Sequence, residues 1–191
     1  NELYKKTLGV VGLGKIGSHV AKVANAMGMK VIGFDPFVSI ERAQQMQVRL
    51  SEIEELFKVS DYVTLHLPRT PETENLVDMK LLKKMKPTAR LVNCARGGII
   101  NENDLASALE ENVIQGAAID VYAKEPLSES SPLRSVNRGL VLTPHLGAST
   151  VEAQQNVAID VAEQIRDVLL GLPARSAVNI PGLSAEIMDS L

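Results

Sequence analysis

An α/β fold, a doubly wound parallel sheet with helices on both faces, is predicted by three observations. Strand-like and helix-like patterns alternate along the 191 residues. The first strand pattern runs into glycines spaced G-x-G-x-x-G at Gly12, Gly14 and Gly17, and a helical pattern follows at once. Polar or conformationally special residues gather where successive strand patterns end: Gly12–Gly17, Asp35, Leu67-Pro68, Cys94-Ala95-Arg96, Asp120 and Pro144-His145. In a sheet of this class those ends share one edge, and ligands bind in the crevice outside it.

Thr7–Val11 is an apolar run containing β-branched Val10 and Val11, and it reads as a buried strand. Ile16, Val20, Val23, Ala24 and Met27 then recur on one helical face until Gly28 stops the helix. The second strand is Val31–Phe34. Helices are expected near Ser39–Met46 and again where Ser51 and Glu54 form a capping box ahead of Leu56-Phe57. Tyr62–His66 is the third strand, Arg69–Asn75 a loop and Asp78–Met85 a helix. Ala89–Asn93 is the fourth strand, with a helix near Glu102–Leu109 after it, and Gly116–Asp120 is the fifth. Val121–Arg138 reads largely as loop, ahead of a sixth strand at Leu140–Leu142. The last helix starts from a capping box of Ser149 and Glu152 and carries Val157, Val161, Ile165 and Val168 on one face. Gly171 and Pro173 end it. Residues 1–173 are expected to form one domain and 174–191 a tail that either packs on segments outside this chain or is mobile. A first strand beginning within a few residues of Asn1 leads us to expect a piece of a longer protein.

Bulk composition narrows the partners. Hydrophobic residues make up 45% of the chain, enough for a sizeable core, and the net charge of −3 comes from interspersed acids and bases. With no basic stripe, nucleic acid and anionic membrane are not expected as partners. The helical apolar pattern at Val157–Leu170 is interrupted by Asp160, Glu163, Arg166 and Asp167, so no span of a bilayer is expected. No segment reads as a signal peptide. One cysteine, Cys94, excludes an internal disulfide framework and fits a reducing, cytoplasmic setting. No metal is expected.

The three glycines have separate physical tasks. Gly12 permits a tight turn out of the strand, Gly14 lets backbone approach a pyrophosphate, and Gly17 lets the helix pack close to the sheet. The pyrophosphate would sit on the unpaired N–H groups at the helix N-terminus. Asp35 lies 18 residues beyond Gly17, near the ~20-residue offset of the acid that binds an adenosine ribose. Its carboxylate accepts both ribose hydroxyls and repels a 2′-phosphate, and Pro36-Phe37 supply no arginine for one, so NAD is expected rather than NADP. This is the pattern of a Rossmann nucleotide-binding domain.

Three residues at the same edge divide the work of a hydride transfer. A neutral imidazole with a pKa near ~6.5 suits removal of the alcohol proton, which points to His145. Glu125 could fix that imidazole and favour its charged form. Arg96, between Ala95 and two glycines, suits bidentate grip of a substrate carboxylate. Taken singly, each has a plainer role: a strand-end histidine, a loop glutamate before Pro126, a surface arginine. Asp120 would likewise serve as a strand-end cap. His66 reads as packed or hydrogen-bonded and His19 as a helix-face residue. Cys94 reads as a small residue whose backbone lines the cofactor rather than as a nucleophile.

Four motifs together carry a family resemblance: Val11-Gly-Leu-Gly-Lys-Ile-Gly17, Asn93-Cys-Ala-Arg-Gly-Gly98, Ala118-Ile-Asp-Val-Tyr-Ala-Lys-Glu-Pro126 and Pro144-His-Leu-Gly-Ala-Ser-Thr150. The chain from Leu8 to about Pro181 resembles the D-isomer-specific 2-hydroxyacid dehydrogenases, and within them the members that act on D-3-phosphoglycerate. The resemblance implies that Arg96 holds the substrate, His145 is the acid/base and Glu125 pairs with it. It further implies that Lys15 and Ile16 lie on the pyrophosphate, that Leu67, Pro68, Cys94 and Ala95 line the cofactor, and that Asp120, Gly147 and Ala148 sit near the nicotinamide, with Arg96 and His145 also bordering it. A separate substrate domain, outside this chain and completed by its C-terminal return, is implied as well, as is a homodimer or larger homo-oligomer. The substrate would be a phosphorylated 2-hydroxy acid. Another 2-hydroxyacid dehydrogenase, a glyoxylate/hydroxypyruvate reductase, or a corepressor-type NADH-sensing binding protein are the alternatives.

Overall fold

Apolar runs that do not alternate with polar residues need cover on both faces, and parallel strands joined through helices supply it. The computed structural model describes residues 2–177 and contains seven such strands: β1 Thr7–Val11, β2 Lys30–Phe34, β3 Arg49–Leu50, β4 Tyr62–Leu65, β5 Arg90–Asn93, β6 Gly116–Ile119 and β7 Leu140–Leu142. All pair in parallel, in the order β3-β2-β1-β4-β5-β6-β7. The helices are α1 Lys15–Ala26, α2 Ile40–Gln45, α3 Ile53–Val59, α4 Met79–Leu82, α5 Glu102–Glu110 and α6 Val151–Leu169. The chain divides into two compact units, Asn1–His145 and Leu146–Leu191. The first holds the sheet with α1–α5, and the second holds α6.

Neighbouring strand residues point to opposite faces, and the buried residues separate accordingly. Leu8, Val10 and Val31 join Ala21 and Ala24 of α1 in one apolar cluster. Val11, Ile32, Val63 and Leu65 join Leu56 and Phe57 of α3 and Leu105 and Leu109 of α5 in the other. Helices on both faces of a parallel sheet therefore hold as expected.

Several local expectations are corrected. There is a seventh strand: β3 pairs Arg49 and Leu50 with Ile32 and Gly33 at the sheet edge, and two residues are too few to show alternation. The buried stripe of α1 is Gly17, Ala21 and Ala24, while Ile16, Val23 and Met27 are exposed. Close approach to the sheet selects small side chains over large ones here. A Cβ on Gly17 would stand 1.9 Å from the Gly12 carbonyl oxygen. The cap of α3 is Glu52, not Ser51, whose hydroxyl donates to the Glu52 carbonyl instead. Helix α4 stops at Leu82, with Asp78 as its cap accepting from the Leu81 N–H. A 3-10 turn at Pro132–Ser135 stands within the expected loop.

In the second unit, Thr150 rather than Ser149 caps α6, its hydroxyl accepting from the Ala153 N–H. Val157, Val161, Ile165 and Val168 all remain exposed. The rest of the expected tail, residues 178–191, lies outside the described residues. Among the described residues no helix is long and apolar enough to cross a membrane.

Two stability predictions follow from these contacts. Gly17→Ala forces α1 away from β1 and should cost about 1–3 kcal/mol as an overpacked site. Gly14→Ala meets no atom within 4 Å and keeps an ordinary φ of −66°, so it should cost less than about 1 kcal/mol. Denaturant unfolding that ranked the two alike would contradict this packing.

Asp61 joins the start of β1 to the turn after α4, accepting from the Thr7 N–H at 2.8 Å and from Lys86 Nζ at 2.9 Å. Burial pushes its carboxyl up, but the Thr7 amide and the charges of Lys86 and Lys6 outweigh it and hold the group below its ordinary value. A depressed carboxylate contributes stability above its unfolded pKa and loses it as pH falls through the folded one. Asp61→Asn should therefore cost on the order of 1 kcal/mol at neutral pH, with the difference from wild type shrinking in acid. A difference independent of pH would refute the assignment.

Candidate active site

The sheet registers place Val11, Phe34, Leu65, Asn93, Ile119 and Leu142 in one row across six strands. The next residues, Gly12, Asp35, His66, Cys94, Asp120 and Thr143, consequently begin the loops along one edge. Strand order reverses between β1 and β4, the position where open α/β sheets bind ligands.

At that point lies a cleft of about 380 Å³ lined by Gly14, Lys15, Ile16, His66, Leu67, Pro68, Cys94, Ala95 and Arg96. Gly12 adopts φ +93°, and a Cβ there would come 2.6 Å from the His66 carbonyl oxygen. Gly14 differs: its missing side chain opens onto free space. The first-turn amides of α1 have no helical acceptor and favour an anion. Asp35 is fixed beside this loop, with Oδ2 accepting from the Leu13 N–H at 2.8 Å and Oδ1 from the Phe37 N–H at 2.9 Å. Each oxygen keeps a lone pair for a hydroxyl. An open cradle at Gly14 and an oriented carboxylate at Asp35 fit the diphosphate and ribose of a dinucleotide.

The loop after β5 presents Arg96. Buried Asn93 braces it, accepting from the Ala95 N–H and donating to the Arg96 carbonyl, both at 3.0 Å. The guanidinium is exposed and donates to the Ala95 carbonyl at 2.6 Å. A Cβ on Gly97 would lie 1.7 Å from the Tyr122 carbonyl oxygen, so glycine here lets the loops after β5 and β6 touch.

Glu125 and His145 come together. Nδ1 of His145 lies 2.7 Å from Oε2 of Glu125, whose Oε1 accepts from the Tyr122 N–H at 3.0 Å. The His145 hydrogen bond, with help from that amide, holds the Glu125 carboxyl below the usual range. The pair borders a cavity of about 640 Å³ that also touches Tyr122, Arg134 and Leu142. Arg96 lines the cleft whereas Glu125 and His145 line this cavity, and the two lining sets share no residue. Buried Asp120 accepts from the Thr143 hydroxyl at 2.5 Å. Gly147 and Ala148 belong to the second unit.

Burial and the Asp120 carboxylate push the Cys94 thiol up, which disfavours a nucleophile. His66 hydrogen-bonds Thr64 at 3.1 Å and is pushed down by burial, yet it also lines the cleft, a place its strand pattern did not reveal. The bracing residues Asn93, Tyr122 and Thr143 were missed as well, as was Glu102, which accepts from the Ala123 N–H at 2.7 Å. A buried asparagine two residues ahead of a loop amide is the one local signal, and it needs the burial to be known. Among the described residues no cluster of three or more His, Cys, Asp or Glu could hold a metal ion.

Comparison with known proteins is consistent with this geometry. The family model for the D-isomer specific 2-hydroxyacid dehydrogenase NAD binding domain matches residues 1–147. D-3-phosphoglycerate dehydrogenase of Synechocystis sp. is 64% identical over 190 residues, covering 100% of this chain and 34% of that protein. The Bacillus subtilis protein of the same name is 47% identical over 187 residues, covering 97% of this chain and 35% of that one. This chain thus spans about a third of the length of these relatives. Among solved structures, the NAD-complexed D-isomer specific 2-hydroxyacid dehydrogenase of Lactobacillus delbrueckii superposes with a TM-score of 0.81 at 34% identity, covering 94% of this chain and 58% of that one. Level strand ends, a glycine cradle and a family match over most of its length lead to one conclusion: the chain belongs to the D-isomer specific 2-hydroxyacid dehydrogenases and comprises their NAD-binding domain.

Proposed function

We propose that this chain is the coenzyme-binding and catalytic domain of an NAD-dependent D-3-phosphoglycerate dehydrogenase, which oxidises D-3-phosphoglycerate to 3-phosphohydroxypyruvate at the start of serine biosynthesis. The observation that carries the chemistry is the 2.7 Å contact between His145 Nδ1 and Glu125 Oε2 at the sheet edge that also holds the glycine cradle. The names of relatives at 64% and 47% identity support phosphoglycerate over other 2-hydroxy acids.

NAD, when bound, supplies the acceptor for the hydride leaving the substrate carbon. Gly12, Gly14, Lys15, Ile16 and Gly17 would hold its diphosphate and Asp35 its ribose. Leu67, Pro68, Cys94 and Ala95 would line its path, with Asp120 toward the nicotinamide. Arg96 would grip the substrate carboxylate through its planar fork. Because Glu125 holds Nδ1, Nε2 of His145 is the nitrogen that takes the hydroxyl proton as the carbonyl forms, and returns it in reduction. The carboxylate orients the ring and stabilises the imidazolium that results. Residues 1–173 act as the coenzyme domain. We place the enzyme in the cytoplasm, on the strength of its free Cys94, as a homodimer or larger homo-oligomer.

In the full-length enzyme, His145→Ala should lower kcat on D-3-phosphoglycerate by roughly 10²–10⁴-fold while NADH affinity stays near wild type. Steady-state rates with a panel of 2-hydroxy acids, paired with NADH titration, make the check. Equal loss of turnover and NADH binding would remove the acid/base role, and preferred turnover of glyoxylate or hydroxypyruvate would reassign the substrate.

A further inference from the structure

Glu125 and His145 carry the proposed proton transfer from partly exposed side chains, 36% and 49% accessible. His145 also stands at a left-handed φ of +56°, three residues beyond the end of β7. Proton transfer requires such a pair to be held in orientation.

Tyr122, only 6% exposed, contacts both segments that carry the pair. Its phenol donates to the Thr143 carbonyl at 2.7 Å, the shorter of two carbonyl contacts, the other being Ile119 at 3.2 Å. Its backbone N–H donates to Glu125 Oε1 at 3.0 Å. The Thr143 carbonyl also accepts from the His145 N–H at 3.0 Å, and the Thr143 hydroxyl donates to Asp120 at 2.5 Å. A closed circuit results, running from Tyr122 through Glu125 to His145, back to Thr143 and so to the phenol.

We propose that Tyr122 is a positioning residue for the Glu125–His145 pair, with its phenol fixing the strand end that presents His145 and its amide fixing Glu125. The inference rests on the dehydrogenase role proposed above. Burial and the Asp120 carboxylate push the phenol up, so it remains a protonated donor through the neutral range. Phenylalanine would fill the same space and remove only the hydroxyl, with its bonds to the Thr143 and Ile119 carbonyls. Without it, the Thr143 carbonyl loses the phenol's hydrogen bond, the strand end that presents His145 is less firmly held, and the imidazole samples orientations unsuited to transfer.

The test is Tyr122→Phe in the full-length enzyme, alone and combined with His145→Ala. Tyr122→Phe should lower kcat on the order of tenfold, since small misplacements of reacting groups are costly. KM and NADH affinity should hold within about twofold, as expected when ground-state binding is untouched. The downfield proton resonance bridging His145 Nδ1 and Glu125, identified by its absence in His145→Ala, should broaden in Tyr122→Phe. In the His145→Ala background the same change should leave the residual rate within about twofold, because the residues act as one unit. Unchanged kcat with an unchanged resonance overturns the proposal. So does an equal fractional loss in both backgrounds, or a melting loss accompanied by rising KM. Should His145→Ala itself retain turnover, the acid/base role proposed for His145 fails, while the resonance still reports whether Tyr122 orders the pair.

Discussion

Six parallel strands that end level are the constraint on which the rest of the site depends. Because Val11, Phe34, Leu65, Asn93, Ile119 and Leu142 occupy one row, residues scattered over more than a hundred positions of sequence start their loops along a single edge. The row in turn depends on α1 lying close to β1. Gly17 opposite the Gly12 carbonyl makes that approach possible, and the small stripe of Ala21 and Ala24 continues it along the helix. The packing that stabilises the first βαβ turn is also what turns the open side of Gly14 toward the cleft.

Two modes of restraint operate along the edge. At the coenzyme end, backbone amides hold Asp35, so the carboxylate is oriented before any ligand arrives. At the catalytic end, two buried residues brace loops that carry exposed groups: the Asn93 side chain holds the backbone beside Arg96, and Tyr122 holds Glu125 by its amide and the Thr143 carbonyl by its phenol. Both place the ordering cost in the folded scaffold rather than in the reaction step.

Much of this was legible in the residues alone. The glycine spacing and the offset to Asp35 follow from the geometry of one βαβ unit, which is local and therefore visible. Alternation of patterns was enough to predict helices on both faces. Legibility failed where tertiary contact overrode local preference. The large apolar residues of α1 suggested a buried face, yet the close approach to β1 reserved that face for glycine and alanine. Two residues of β3 were too short for any period. Glu52 and Thr150 displaced the caps expected at Ser51 and Ser149 by one position, a shift that capping-box spacing does not resolve. Tyr122 falls in a stretch that reads as loop and Asn93 at the end of a strand pattern; the tie from Tyr122 to Thr143 spans 21 residues, and the bracing by Asn93 depends on its burial, so neither role shows in the local sequence.

The central claim is that the level strand ends form a cradle for an adenine dinucleotide lacking a 2′-phosphate. Calorimetric titration of the full-length protein with NADH and with NADPH tests it most directly. The account predicts saturable one-to-one binding of NADH and at least tenfold weaker binding of NADPH, about 1.4 kcal/mol of discrimination by Asp35. Heats of dilution alone with NADH, or equal affinity for both coenzymes, would contradict it.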